Sequence, residues 1–149
     1  MRVLLQRVSS ASVTVEGDVV GAIDRGYVLL VGVGHDDTQA QADQLAEKIV
    51  NLRLFPNDDG KFDRSLLDIG GGALVVSQFT LFADCKKGRR PSFSDAGRPD
   101  VAEPLCDYFA ERLKALGVAH VATGLFGAYM NVALVNDGPV TVWLDTEEM

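Results

Sequence analysis

Two segments of the chain place hydrogen-bonding side chains among apolar residues in a way that suits a substrate pocket. Residues 77–81 read Ser-Gln-Phe-Thr-Leu, and residues 136–141 read Asn-Asp-Gly-Pro-Val-Thr. Each segment also has an ordinary interpretation, a solvated strand face for the first and a hairpin turn for the second. Thr80 has no evident base beside it, so any hydrolysis here would use backbone donors, a group of the substrate or a lone hydroxyl.

Other kinds of site find little support in the sequence. His35 and His120 lie in unrelated contexts without a second ligand at metal-binding spacing, so we expect no metal site. The glycines after residue 31 lack the third glycine of a dinucleotide fingerprint. Ser77 is not in a Gly-x-Ser-x-Gly elbow, which argues against a catalytic triad. None of these patterns indicates a cofactor site.

The elements that must position the two segments are mostly strands. Residues 2–15 are rich in β-branched and aliphatic types, and Gly17-Asp18 predicts a hairpin turn into 19–23. The apolar run 27–33 is typical of a central strand buried on both faces. The remaining predicted strands cover 73–83, 118–122, 130–135 and 140–144, which puts 77–81 within a strand and 136–139 in a hairpin.

Two longer helices complete the pattern. One is predicted after the N-cap candidates 36–38, because five apolar residues from Ala42 to Val50 fall on one helical face. The other is predicted at about 100–116, with a start that Pro104 obscures and Gly117 after its end. We therefore expect a mixed α/β fold with mainly antiparallel sheet layers, forming a single domain over residues 1–149.

Charge is distributed unevenly along the chain. The net charge of −7 disfavours a general nucleic-acid coat protein, since phosphate binding requires a basic surface. Residues 86–98, called the basic loop below, nevertheless hold five basic residues and one aspartate, a net charge of +4; the rest holds nine basic and 20 acidic residues, a net charge of −11. Such a loop can hold phosphates, and Phe93 can stack on a base.

Targeting signals are not recognisable in the sequence. The apolar run at the N-terminus stops at Gln6 and Arg7, and no segment approaches the length of a membrane span. Two cysteines in dissimilar contexts do not indicate a disulfide framework. We expect a cytoplasmic protein that does not associate with membranes.

Taken together, the two segments closely resemble the D-aminoacyl-tRNA deacylases, once called D-tyrosyl-tRNA deacylases. The family pattern is Ser-Gln-Phe-Thr-Leu followed some fifty residues later by Asn-x-Gly-Pro-Val-Thr. The opening Met-Arg-x-Leu-Leu-Gln-Arg-Val, the Leu-Arg-x-Phe of 52–55 and residues 86–93 are also similar to the family. The similarity covers the whole chain without a large insertion.

The resemblance implies a homodimer with active sites at the subunit interface. It also implies hydrolysis of the ester between a D-amino acid and the terminal adenosine of tRNA, with no metal or organic cofactor. It implies that Ser77, Gln78, Phe79, Thr80 and Leu81 line the pocket. It also implies that a cis Gly138-Pro139 pair enters from the other subunit. The further pocket residues that it suggests are Arg7, Ala102 and Met130, and the tRNA contacts expected in the basic loop are Lys86, Lys87, Arg89 and Arg90.

The sequence is compatible with more than one mechanism and more than one activity. Catalysis by backbone donors near Phe79 and Thr80, with water assisted by the ribose hydroxyl, is favoured over a covalent Thr80 nucleophile. A non-catalytic module that binds the tRNA end would have the same motifs. A general amino-ester hydrolase is disfavoured by the basic loop.

Overall fold

The computed structural model describes all 149 residues and contains eight strands and three α-helices. The strands are β1 (Arg2–Val15), β2 (Asp18–Ile23), β3 (Gly26–Gly32), β4 (Phe55–Pro56), β5 (Phe62–Arg64), β6 (Gly72–Ser77), β7 (His120–Thr123) and β8 (Asn131–Asp145). The helices are α1 (Gln39–Asn51), α2 (Leu66–Ile69) and α3 (Pro99–Ala115), and there are 3₁₀ turns at Phe79–Phe82 and Thr146–Glu148.

The long strand β1 organises the main sheet. Strands β2 and β3 pair with β1 in succession along one edge, and β8 pairs with its other edge, all antiparallel. Strand β6 is parallel to β3, β7 is parallel to β6, and the crossovers between them contain α1 and α3. Four of the six strand pairings are antiparallel, counting the small β4–β5 hairpin. The predicted mixed fold with mainly antiparallel pairing is confirmed.

Helices α1 and α3 cover one face of the sheet. The five apolar residues of the α1 face are all buried, as predicted, and α3 contributes Leu105, Phe109 and Leu113. They join inward residues of β1, β3 and β6 in a core of 23 buried residues, while a second cluster of seven lies on the other face. None of the helices has the length and apolar character that a membrane crossing requires.

Helix boundaries follow local chemistry. Helix α1 begins after Thr38, whose side chain forms a capping box with Gln41. Helix α3 begins at Pro99, where a proline is tolerated in the first turn, and continues through Pro104. The prediction of about 100–116 is therefore close, although Pro104 lies inside the helix and does not mark its start.

The predicted strand at 73–83 is wrong in its second half. Strand β6 ends at Ser77, and residues 79–82 form a 3₁₀ turn. The neighbouring strand β3 ends at Gly32, so the chain has no ladder partner there beyond the hydrogen bond from the Gln78 N–H to the Val31 carbonyl, 2.7 Å long. The chain turns where its neighbour stops.

The predicted hairpin at 136–139 is also wrong. Both flanking segments belong to the single strand β8 and pair with the same strand, β1. Gln6 lies opposite Thr141 and Val8 lies opposite Asn136, so Arg7 alone faces four residues of β8. These four, residues 137–140, bulge out of the ladder and are called the Gly138 loop below.

Candidate active site

A pocket of about 640 Å³ lies at the carboxyl end of β6, between the 3₁₀ turn, the start of α3 and the segment before β8. Its lining includes five of the predicted site residues, Ser77, Gln78, Phe79, Ala102 and Met130. Most of its other lining residues are apolar or small. A mostly apolar concavity with a few polar groups is the usual form of a small-molecule site.

The 3₁₀ turn over Phe79–Phe82, called the 79–82 turn below, begins at the pocket wall. Its later N–H groups are used internally: that of Leu81 donates to the Gln78 carbonyl over 3.2 Å, and that of Ala83 donates to the Thr80 carbonyl over 3.0 Å. The N–H groups of Phe79 and Thr80 donate to no other protein atom. The first N–H groups of any helical turn are free in this way and are available to bind an anion; those of Phe79 and Thr80 are called the donor pair below.

Close packing fixes the 79–82 turn against β3. A Cβ atom built on Gly32 would lie 3.1 Å from the Leu81 Cβ, and one on Gly34 would lie 3.2 Å from the Phe82 ring. A side chain at either position would force its neighbour to move by a few tenths of an ångström, so glycine allows the closest approach. The donor pair is thus carried by a turn that rests on rigid sheet.

Side chains of the pocket offer little acid–base chemistry. The only ionisable lining residues are Arg98 and Tyr129. The Thr80 hydroxyl accepts a hydrogen bond from the Gln78 side-chain amide. Burial raises the pKa of the nearby Cys106 to about 11, although a hydrogen bond with Ser77 partly opposes this. The thiol is therefore protonated at neutral pH and is a poor nucleophile.

The basic loop adjoins the pocket through an aromatic contact. The Phe93 ring lies edge-on to Phe79, with 5.0 Å between centroids, and both line the pocket. Asp84 and Ser92 pair across the base of the loop. The four predicted tRNA contacts are exposed and form no ion pair within the chain: Lys86, Lys87, Arg89 and Arg90.

Arg7 and Asn136 hold the Gly138 loop in shape. The buried Arg7 donates to the Asp137 carbonyl over 2.9 Å and to the Leu54 carbonyl over 2.6 Å. The Asn136 side chain accepts from the Val140 N–H over 2.9 Å and donates to the Thr141 hydroxyl over 3.0 Å. The Gly138–Pro139 peptide bond is cis, as the resemblance implies, and both residues are exposed.

The predicted residues thus fall into two groups within one chain. Thr80 and Leu81 belong to the 79–82 turn beside the pocket, but they do not line it. Arg7, Gly138 and Pro139 form a separate group around the Gly138 loop and do not line the pocket of their own chain.

Sequence reasoning missed part of the site. The sequence pattern predicts a turn at Asn136, whereas its side-chain amide holds the Gly138 loop. Phe126 and Tyr129 line the pocket but lie outside the two motifs that predict the site. Two aromatic residues beside Gly127, outside any predicted element, were the available signal.

Comparison with known proteins agrees with this description. A family model described as D-Tyr-tRNA(Tyr) deacylase matches residues 4–145. The chain is 64% identical to a D-aminoacyl-tRNA deacylase of Thermomicrobium roseum, covering 100% of this chain and 96% of that protein. It is 57% identical to the D-aminoacyl-tRNA deacylase of Thermus aquaticus, covering 99% and 97%.

Solved structures show the same fold. A c-Myc DNA unwinding element binding protein superimposes with a TM-score of 0.92 at 40% identity, covering 98% of this chain and 99% of that one. A probable eukaryotic D-amino acid tRNA deacylase has a TM-score of 0.84 at 18% identity, covering 96% and 97%. Fold and sequence place the chain among proteins of the aminoacyl-tRNA deacylase class. It belongs to the D-Tyr-tRNA(Tyr) deacylase family.

Proposed function

We propose that this protein is a hydrolase that cleaves the ester between a D-amino acid, or glycine, and the terminal adenosine of tRNA. Family membership supports the reaction. The structural observation that carries the proposal is the pair of free N–H groups on Phe79 and Thr80 beside a pocket. Such activity would remove D-amino acids attached to tRNA by mistake, a form of proofreading.

In the proposed mechanism, the protein stabilises the negative charge that develops on the ester oxygen, and a hydroxyl of the substrate assists the attacking water. Water attacks the ester carbonyl carbon, and the Phe79 and Thr80 N–H groups bind the oxygen that becomes negative, each contributing about 10²–10³ in rate. The vicinal hydroxyl of the terminal ribose positions or activates the water. The bond from the carbonyl carbon to the ribose oxygen then breaks, and that oxygen takes the proton that the attacking water loses.

The scarcity of acid–base groups in the pocket supports this division of labour. No carboxylate or imidazole lines the pocket, and the Thr80 hydroxyl has only the Gln78 amide as a partner. An amide cannot take a proton from a hydroxyl, and a threonine at its free pKa is a weak nucleophile.

Thr80 substitutions should therefore retain activity. We expect Thr80→Val and Thr80→Ser to hydrolyse D-tyrosyl-tRNA within about tenfold of the unmodified rate, because the backbone N–H remains in both. Single-turnover release of D-tyrosine measures this. A covalent aminoacyl adduct on Thr80, trapped by acid quench and found by mass spectrometry, would overturn the mechanism.

We further propose that the protein acts as a homodimer in which the Gly138 loop of one subunit completes the pocket of the other. Large apolar side chains near the pocket support a partner surface: Phe79 is 54% exposed, Leu125 52% and Tyr129 90%. Exposed apolar residues in this number, close to a cleft, are typical of an interface. The Gly138 loop is exposed and pre-shaped by Arg7 and Asn136, as an inserted element must be.

The basic loop is proposed to bind tRNA close to its charged end. Its four free cations lie in the chain between the 79–82 turn and Phe93, and the rest of the chain is acidic, which discourages indiscriminate RNA binding. Phe93 connects the loop to the pocket wall. A protein with this substrate would act in the cytoplasm.

Removal of two loop charges should change binding more than chemistry. In Arg89→Ala/Arg90→Ala we expect weaker tRNA binding, with the log–log salt slope reduced by about 0.7 for each lost phosphate contact. Titrations at several salt concentrations measure this slope. The matched control is Lys48→Ala/Lys61→Ala, which removes two exposed, unpaired charges outside the pocket and should leave the slope unchanged. An unchanged slope in the loop variant would place the RNA elsewhere.

A non-catalytic module that binds the tRNA end is the second candidate. It is favoured only by the absence of a protein base in the pocket. Incubation of D-tyrosyl-tRNA with the protein distinguishes the two, since a binding module would hold the tRNA and release no amino acid.

A further inference from the structure

Arg2 connects the start of the chain to the 79–82 turn. Its Nη1 donates to the Leu81 carbonyl over 2.9 Å, and its Nε donates to an Asp145 carboxylate oxygen over 3.0 Å. The guanidinium also lies over the Phe82 ring, 4.3 Å from the centroid. One side chain therefore contacts two residues of the turn while a carboxylate fixes its orientation.

The register of the sheet places Arg2 for this role. Arg2 and Asp145 are direct partners in the β1–β8 ladder, and Arg2 faces Gly32 in the β1–β3 ladder. Asp145 is only 6% exposed. An ion pair set by two strand pairings holds the guanidinium fork in one place.

Arg2 is the only side chain from outside the segment 78–83 that forms a hydrogen bond with the 79–82 turn. The start of the turn is held by the bond between the Gln78 N–H and the Val31 carbonyl. Close packing of Leu81 and Phe82 against Gly32 and Gly34 restricts movement of the turn toward β3. The hydrogen bond from Arg2 to the Leu81 carbonyl holds the far end of the turn, together with the pairing of Asp84 and Ser92 just after it.

We propose that Arg2 is a positioning residue for the ester hydrolysis, acting by fixing the 79–82 turn so that the Phe79 and Thr80 N–H groups point at the developing oxyanion. The inference rests on the proposed function of that donor pair. Arg2 does not line the pocket, so it acts through the turn and not directly on the reacting ester. Its loss should lower kcat and leave KM unchanged, because positioning acts on the transition state.

The test is Arg2→Met in the full chain, which keeps a long apolar stem on Phe82. We expect kcat for D-tyrosyl-tRNA to fall about tenfold, since a misplacement of ~1 Å at a reacting centre costs up to about 10²-fold. KM should stay within about twofold. Amide hydrogen exchange at Leu81 and Ala83, whose N–H groups close the turn, should become faster.

The matched control is Arg112→Met. Arg112 is 32% exposed against 28% for Arg2, and it bridges Asp43 and Glu47 away from the pocket. It should lower thermal stability without changing kcat or exchange in the turn. Should Arg2→Met not fold, Asp145→Asn frees the same guanidinium and should shift both readouts in the same direction.

Unchanged exchange at Leu81 and Ala83 in Arg2→Met would overturn the inference, and so would faster exchange with an unchanged kcat. Failure of the proposed function looks different, because the unmodified protein would then release no D-tyrosine. Exchange in the turn would still respond to Arg2 in that case.

Discussion

Replacing Gly138 with alanine is expected to lower the rate of D-tyrosyl ester hydrolysis by about 10²-fold. Gly138 has φ +149°, and a Cβ atom there would lie 2.6 Å from the Val140 N. The clash is with a backbone atom, which cannot move aside as the end of a flexible side chain can. The Gly138 loop must therefore change its conformation. If the loop completes the partner's pocket, the change removes a substrate contact. Single-turnover assays measure the rate.

Folding should survive this substitution. The Gly138 loop is exposed, and β8 pairs with β1 on both sides of it. Thermal unfolding of Gly138→Ala is expected to stay near that of the unmodified protein. The matched control is Gly17→Ala in the β1–β2 turn, where φ is +84° but nothing lies within 4 Å of the added Cβ. It should keep the full rate.

Mixed dimers show whether the loop acts across the interface. One protein carries Gly138→Ala, and a second protein carries Ala102→Phe, which fills the pocket. The two proteins are mixed so that dimers with one subunit of each form. If each site uses one chain's pocket and the other chain's loop, a mixed dimer contains one site with both changes and one with neither. Activity should then reappear on mixing two nearly inactive proteins. Absence of recovery in a verified mixed dimer would contradict the shared site.

The sequence predicts an element of the fold well when local residues specify it, and poorly when its limits depend on a neighbouring strand. Helix α1 and the β1–β2 hairpin are recovered because local patterns specify them: an apolar helical face, a capping residue and a glycine turn. The end of β6 is not recovered, since it depends on where β3 stops. Ser-Gln-Phe-Thr-Leu alternates like a strand, but only Ser77 has a ladder partner in β3.

The conformation of the Gly138 loop likewise depends on contacts that are distant in sequence. Asp137-Gly138 between apolar runs is a strong hairpin signal, and it misleads because both runs pair with β1. Arg7 was suggested as a pocket residue by the resemblance, whereas the structure shows it holding the Asp137 and Leu54 carbonyls. No local pattern reports contacts between residues so distant in sequence.

The second large expected effect is a difference in hydrolysis rate between D-aminoacyl and L-aminoacyl esters. Selection of D-amino acids is most secure when an L side chain is excluded by filled volume. In the proposed site, Gly138 brings backbone close to the substrate, and the loop carbonyls accept hydrogen bonds from its α-amine. Backbone then fills the space that an L side chain needs. Glycine has no side chain to exclude, so glycyl esters should also be cleaved.

The most direct measurement compares tRNA charged with D-tyrosine, L-tyrosine or glycine under single-turnover conditions. We expect D-tyrosine to be released at least about 10²-fold faster than L-tyrosine, a difference of about 2.7 kcal/mol in transition-state stabilisation. Glycine should be released within about tenfold of the D-tyrosine rate. Similar rates for D- and L-tyrosine, or glycyl-tRNA left intact, would contradict the proposed function and its basis in backbone exclusion.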